Sequence, residues 1–184
     1  MTEAEFLDGA RANPSTSELL TRLRSLGVRD CYLTAGCLFQ PIWNHISGRA
    51  ADWGVKDYDV FYFDNADPSW EAEDEVIRLV ESKTADLSIA VEVRNQARVH
   101  LWYPERFGGD YPRLGCARDG IDRFLISCTC VGIEVHSGQI YAPNGFEDLA
   151  RGLLRMNPLA PNPNRFREKA RSYQSRWPWL TILD

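Results

Sequence analysis

The sequence predicts an α+β domain, and three observations carry that reading. Stretches rich in β-branched and aromatic residues with period-two alternation recur, most clearly at 55–64 and 88–94. Ahead of them apolar residues return at helical spacing, as in Leu19, Leu23 and Leu26, or Phe39, Ile42, Trp43 and Ile46. The length of 184 residues suits one domain, 1–184, with its own core and a helical end at 145–184.

Composition narrows the classes of function. With 44% hydrophobic and 26% charged residues, and no apolar run long enough for a bilayer, the chain reads as globular rather than membrane-spanning. A net charge of −5 argues against a broad nucleic-acid-binding surface, although it leaves room for a local basic patch. The first eight residues carry acid where a secretory leader carries base, so a cytoplasmic address is expected. Five cysteines, an odd number without Cys-x-x-Cys spacing, fit reduced thiols better than a disulfide framework or a zinc site.

Each element follows in order. Region 1–27 is expected to supply one N-terminal helix, opened by a capping box at Ser15-Thr16-Ser17-Glu18 and stopped at Gly27. Residues 30–35 read as a short buried strand ending at Gly36-Cys37, followed by a helix that closes near Gly48. A glycine between strand and helix lets a phosphate approach backbone amides, where the helix dipole favours negative charge; the bland alternative is a tight connection. Asp67 and Pro68 mark the next helix start, and Glu71, Glu73, Asp74 and Glu75 are expected to be solvated acids at its positive end. Beyond the 88–94 strand, Arg98, His100 and Trp102 alternate with Val99, Leu101 and Tyr103, which predicts another strand hairpinned through Asn95-Gln96. The Gly- and Pro-rich segment 103–118 reads as a long surface loop, 119–125 as a short helix, and 127–135 as a strand that turns at Ser137-Gly138 into 139–142. A helix through Leu149, Leu153 and Leu154, then a basic helix with a Phe166, Ala170, Tyr173 and Trp177 stripe, complete the chain.

Candidate chemistry centres on Asp57-Tyr58-Asp59. In extended backbone these two carboxylates share a face with Phe61, while Tyr58, Val60 and Tyr62 point the other way. Acids are depleted from strands and seldom buried unpaired, so the pair calls for a cation or a solvated rim. Glu92, set among apolar residues, is either a third member of that acidic site or an acid paired with Arg94 or Arg98. Arg94, Arg98 and His100 suit a triphosphate or a buried ion-pair network equally well. Lys56 adjoins the acids from the opposite face, where it softens their repulsion or meets a phosphate.

This ordered set (glycine before a helix, Asp-x-Asp opening a strand, an acid on a nearby strand) resembles the polymerase-beta-like nucleotidyltransferase superfamily. More specifically, Phe39-Gln40-x-x-Trp43-Asn44, Gly54-Val55-Lys56-Asp57-Tyr58-Asp59 and Val91-Glu92-Val93-Arg94-Asn95-Gln96 are similar to an uncharacterised bacterial nucleotidyltransferase family. The likeness covers roughly residues 33–179, with Cys37 where a serine or glycine is common in the wider superfamily. It implies a short mixed sheet with helices largely on one side. It also implies transfer of a nucleotidyl group from a nucleoside triphosphate such as ATP to an unknown acceptor (small molecule, RNA or protein), with release of pyrophosphate. In that picture Asp57, Asp59 and Glu92 are catalytic and hold Mg²⁺ or Mn²⁺, while Gly36, Cys37, Lys56, Arg94, Arg98 and His100 serve the nucleotide. A nucleotide-binding protein without turnover and a metal-dependent phosphohydrolase using the same carboxylates are the alternative readings.

Overall fold

In the computed structural model, which describes residues 1–183, β1 (Cys31–Thr34), β2 (Asp57–Tyr62), β3 (Ala90–Asn95), β4 (Gly132–Glu134) and β5 (Ile140–Tyr141) form one sheet in the order β3-β2-β1-β4-β5. β1 runs antiparallel to β2 and β4, whereas β2 and β3 are parallel, so the sheet is mixed as expected. A parallel pair needs a long crossover, which α4 (Trp70–Thr84) supplies. The register sets Asp59 opposite Glu92 and Phe61 opposite Arg94. Burial along β2 alternates as its sequence predicts: Tyr58, Val60 and Tyr62 are buried, and Asp57, Asp59 and Phe61 half-buried.

The buried face packs against helices α1 (Glu3–Arg11), α2 (Pro14–Arg24), α3 (Gly36–Ile46) and α4, whose Phe6, Leu19, Leu38 and Val80 join Leu33, Val60 and Val93 in the main core. Region 1–27 is thus two helices rather than one. Asn13, not the serine-threonine box, caps α2 by accepting from the Ser15 amide at 3.0 Å, with Pro14 in the first helical position. Its Nδ2 donates to the Tyr58 hydroxyl at 2.8 Å, so a contact with the sheet selects the cap. The start of α4 shifts likewise: Ser69 accepts from the Ala72 amide, and Asp67 instead accepts from the Ser69 amide.

A larger difference lies after β3. Residues 98–103 are not a strand but the cap and first half of α5 (Val99–Phe107), so 103–118 is a loop only beyond Phe107. Asn95 makes the corner, its Oδ1 accepting from the amides of Asp64 and Ala97 at 3.1 Å and its Nδ2 donating to the Asp64 carbonyl at 2.8 Å. Glu73 locks it from behind. Expected among solvated acids, it is 2% exposed, accepts from the Asn95 amide at 2.7 Å and forms an ion pair with Arg98, whose Nε donates to the Pro68 carbonyl.

The remaining helices are α6 (Ala117–Ile121), α7 (Glu147–Arg151) and α8 (Pro163–Arg176). The expected strand at 127–135 begins as a 3-10 turn, Ser127–Thr129, and is extended only in β4. The helix anticipated through Leu153 and Leu154 stops at Gly152, which adopts φ +68°; those leucines enter β6 (Leu153–Arg155), parallel to β7 (Thr181–Leu183). The C-terminal region therefore carries a two-stranded sheet as well as helices. α8 is seated on α3 through Trp177, whose ring lies 5.3 Å from Trp43 and whose Nε1 donates to Asn44 at 2.9 Å. Among the described residues no helix is long and apolar enough to cross a membrane.

Candidate active site

The sheet face turned away from α1–α4 is divided in two. Toward one end Tyr32 packs with Ala117, Ile121 and Cys130 in a second apolar cluster that also takes in Phe61, Phe63 and Phe124. Asp57 and Asp59 lie beyond this cover, in a cleft of about 650 Å³ bounded by the N-terminus of α3, by α5 and by α8. The Asp-x-Asp periodicity, the position of β2 inside the sheet and the short reach of α6 together leave the two carboxylates facing this space.

Burial first, then the neighbouring Asp57 and Glu92 carboxylates, push the Asp59 carboxyl up to about 7, against weaker opposition from Lys169 and Arg94. The site is thus an anionic cluster short of counter-charge. Because the folded-state value lies above the ordinary carboxylate value, ionisation of Asp59 disfavours the fold: the penalty is absent below about pH 4, grows toward pH 7 and is level above. Asp59→Asn should therefore stabilise the metal-free protein above pH 7, by an amount on the order of 2–4 kcal/mol, and hardly change it at pH 4. Thermal melts across that range check this; a gain independent of pH would contradict it.

Glu92 sits at the rim. It is opposite Asp59 in register, but its side chain is 50% exposed, outside the cleft lining, and meets Arg94 at 3.3 Å. So solvated a pair contributes little, and Glu92→Gln should change stability by less than about 1 kcal/mol in the metal-free protein. A loss of several kcal/mol in a denaturant titration would instead mark it as half of a closed ion pair.

Gly36 opens α3 at the cleft wall, after Ala35 turns the chain at φ +63°. A β-carbon at Gly36 would meet the Gln40 side-chain amide, which would have to swing aside to admit it. No side chain caps this helix, and although the Leu38 amide donates to the Ala35 carbonyl at 3.1 Å, the Gly36 and Cys37 amides at its start can serve an anion. Cys37 lies behind it, fully buried, its thiol pushed up by burial and donating to the Thr34 carbonyl at 3.1 Å; only its backbone can serve a ligand.

Other expected nucleotide contacts are dispersed. Arg94 lines the cleft. Lys56 is exposed and outside the lining. Arg98 is engaged with Glu73 behind the sheet corner, which removes it from the nucleotide set. His100 is on α5, also outside the lining, and its buried Nδ1 has no partner among the described residues. The cleft is also lined by Arg165, Lys169 and Tyr173, which α8 presents at i, i+4 and i+8, and by Arg123 and Gln96 from other elements. Arg165 and Lys169 were visible beside the Phe166-Ala170-Tyr173 stripe, but a basic helix flank usually means only a solvated face.

Among the described residues no three His, Cys, Asp or Glu side chains are grouped so as to hold a metal ion. The Asp57 and Asp59 pair nonetheless fits Mg²⁺, which takes one or two carboxylates and completes its sphere with water and phosphate oxygens. The crowding that raises Asp59 is what a bound cation would relieve.

A family model described as nucleotidyltransferase matches residues 21–182. No curated protein matches the chain significantly. A solved structure described as an NMR structure revealing a CCA-adding enzyme head domain superposes with a TM-score of 0.76 at 23% identity, over 100% of this chain and 96% of that one. The likeness extends to the mixed sheet and its helices, and so to the fold.

Proposed function

Because this chain belongs to the nucleotidyltransferase family, we propose that its cleft moves a nucleotidyl group from a nucleoside triphosphate to an acceptor hydroxyl, with a divalent cation at Asp57 and Asp59. One observation supports this most: two half-buried carboxylates, an uncapped helix N-terminus and the cations of α8 line a single cleft. The amides at Gly36, with Lys169 and Arg94, receive phosphate oxygens and set the α-phosphorus beside the acids. A bound Mg²⁺ or Mn²⁺ supplies neutralisation of charge on the phosphates. The acceptor oxygen bonds to the α-phosphorus as the bond to the bridging α–β oxygen breaks, and pyrophosphate leaves with that electron pair. The hydroxyl proton passes to a carboxylate of the acidic cluster and on to solvent, Glu92 being the member most open to water. All five cysteines are free, four of them buried, which suits the cytoplasmic address we assign to the protein.

The test is incubation with Mg²⁺, α-labelled triphosphates and an extract of metabolites and RNA. Label on an acceptor is the expected result. Label released only as monophosphate would mark a phosphohydrolase, and tight binding without turnover a retired enzyme.

A further inference from the structure

Away from the acids the cleft changes character. Tyr103 and Tyr111 line it with ring centroids 4.4 Å apart, the exposed Phe107 backs Tyr103 at 5.0 Å from outside the lining, and two guanidinium groups lie on these rings: Arg165 4.6 Å over Phe107 and Arg123 5.5 Å over Tyr111. Neither arginine, nor Lys169, forms an ion pair with a carboxylate among the described residues, and the exposed Asp110 is the acid on this wall. At a helical rise of 1.5 Å per residue, Arg165 is about 6 Å along α8 from Lys169 and about 12 Å from Tyr173, the two α8 residues that act electrostatically on or with Asp59. Arg165 and the α8 residues that sense Asp59 thus line the same cleft within about 12 Å along one helix.

Two bonds tie the walls together here. Arg165 donates to the Tyr103 hydroxyl at 3.2 Å, joining α8 to α5, and Arg123 donates to the Leu159 carbonyl at 3.3 Å, joining the segment after α6 to the approach of α8. A polynucleotide needs a groove that its chain can leave, and one that carries excess positive charge; this end is laced, and the chain as a whole carries −5. A neutral nucleobase would use the rings but not the two guanidinium groups.

We propose that this end of the cleft is the acceptor subsite, and that the acceptor is a small planar molecule bearing a hydroxyl and an anionic group, of the kind found in a nucleoside monophosphate or a hydroxylated aromatic carboxylate. The rings stack on the planar part and Arg123 and Arg165 take the anion. The identification of the acceptor rests on the nucleotidyl-transfer reading: its hydroxyl oxygen forms the new bond to the α-phosphorus, the bond to the pyrophosphate oxygen breaks, and the proton goes to the acidic cluster.

The experiment is calorimetric titration of AMP and of 4-hydroxybenzoate, each into the protein alone and into the protein saturated with Mg²⁺ and an α,β-methylene triphosphate. Binding of at least one probe to the saturated complex is expected, weakened tenfold or more in Arg165→Gln and in Arg123→Gln, with the analogue's own affinity changed less than twofold. The two sources separate by which probe binds. Quenching of the native chain's tryptophan fluorescence by the bound probe, diminished in Trp102→Phe, gives a second readout should a variant fold poorly. Loss of analogue affinity in these variants would assign the wall to the triphosphate's own base and overturn the proposal, as would failure of both probes, or displacement of a bound probe by a 12-nucleotide single-stranded RNA. If the analogue never binds while a probe still binds the protein alone in an Arg165-dependent way, the subsite stands and the transfer reading fails.

Discussion

Asp59→Asn, alone or with Asp57→Asn, is expected to lower label transfer from an α-labelled triphosphate by two or more orders of magnitude while leaving the protein folded. Carboxylate-held cations contribute several kcal/mol of charge stabilisation to phosphoryl transfer, and each 1.4 kcal/mol is a factor of ten in rate. Asp59 is the more sensitive of the pair because burial and both neighbouring acids already strain its ionised form, so a cation there has the most to relieve. The same change should remove, in calorimetry with a nucleoside triphosphate present, most of the Mg²⁺ or Mn²⁺ binding shown by the native chain. Unchanged metal binding in the double variant would refute the assignment of these two acids.

The second large effect is on stability and comes from a residue outside the cleft. Glu73→Ala is expected to destabilise the protein by roughly 3–5 kcal/mol, since it leaves the guanidinium of Arg98 buried without its partner and the Asn95 amide without its acceptor. For a domain of this size that corresponds to a fall in Tm of roughly 6–20 °C. The exposed Glu75 on the same helix is the control, and its alanine variant should stay within about 0.5 kcal/mol of the native chain. Equal, small effects at both positions in thermal melts would show that the corner between β3 and α5 does not depend on Glu73. Beyond stability the corner bears on function, because it sets Arg94 and Gln96 on one side and launches Trp102 and Tyr103 on the other, all four in the cleft lining.

Local periodicity was enough for β2 and its two acids, for the buried strand before Gly36, and for the apolar stripe of α8, because in each the alternation of side chains follows directly from backbone geometry and repeats over several residues. It failed at 98–103, where Val99, Trp102 and Tyr103 lie at helical spacing while Val99, Leu101 and Tyr103 alternate with Arg98, His100 and Trp102. Both patterns are compatible with those six residues, and the decision came from Asn95, Asp64 and Glu73 closing a corner at the edge of the sheet. Glu73 itself was indistinguishable from Glu71 and Glu75 by residue type and neighbourhood, and only its position over the end of β3 makes it the buried partner of Arg98. The cleft cations show the same division. Arg98 and His100 lie near the acids in sequence yet turn elsewhere, while Lys169, about 110 positions from Asp59, acts on it electrostatically. Residue order thus specifies which face of a strand or helix a side chain occupies, since that depends on one element's own geometry. Which faces meet depends on how elements separated by many tens of residues pack, and here that was decided by long-range contacts such as Trp177 with Trp43 and Asn44, which hold α8 against α3.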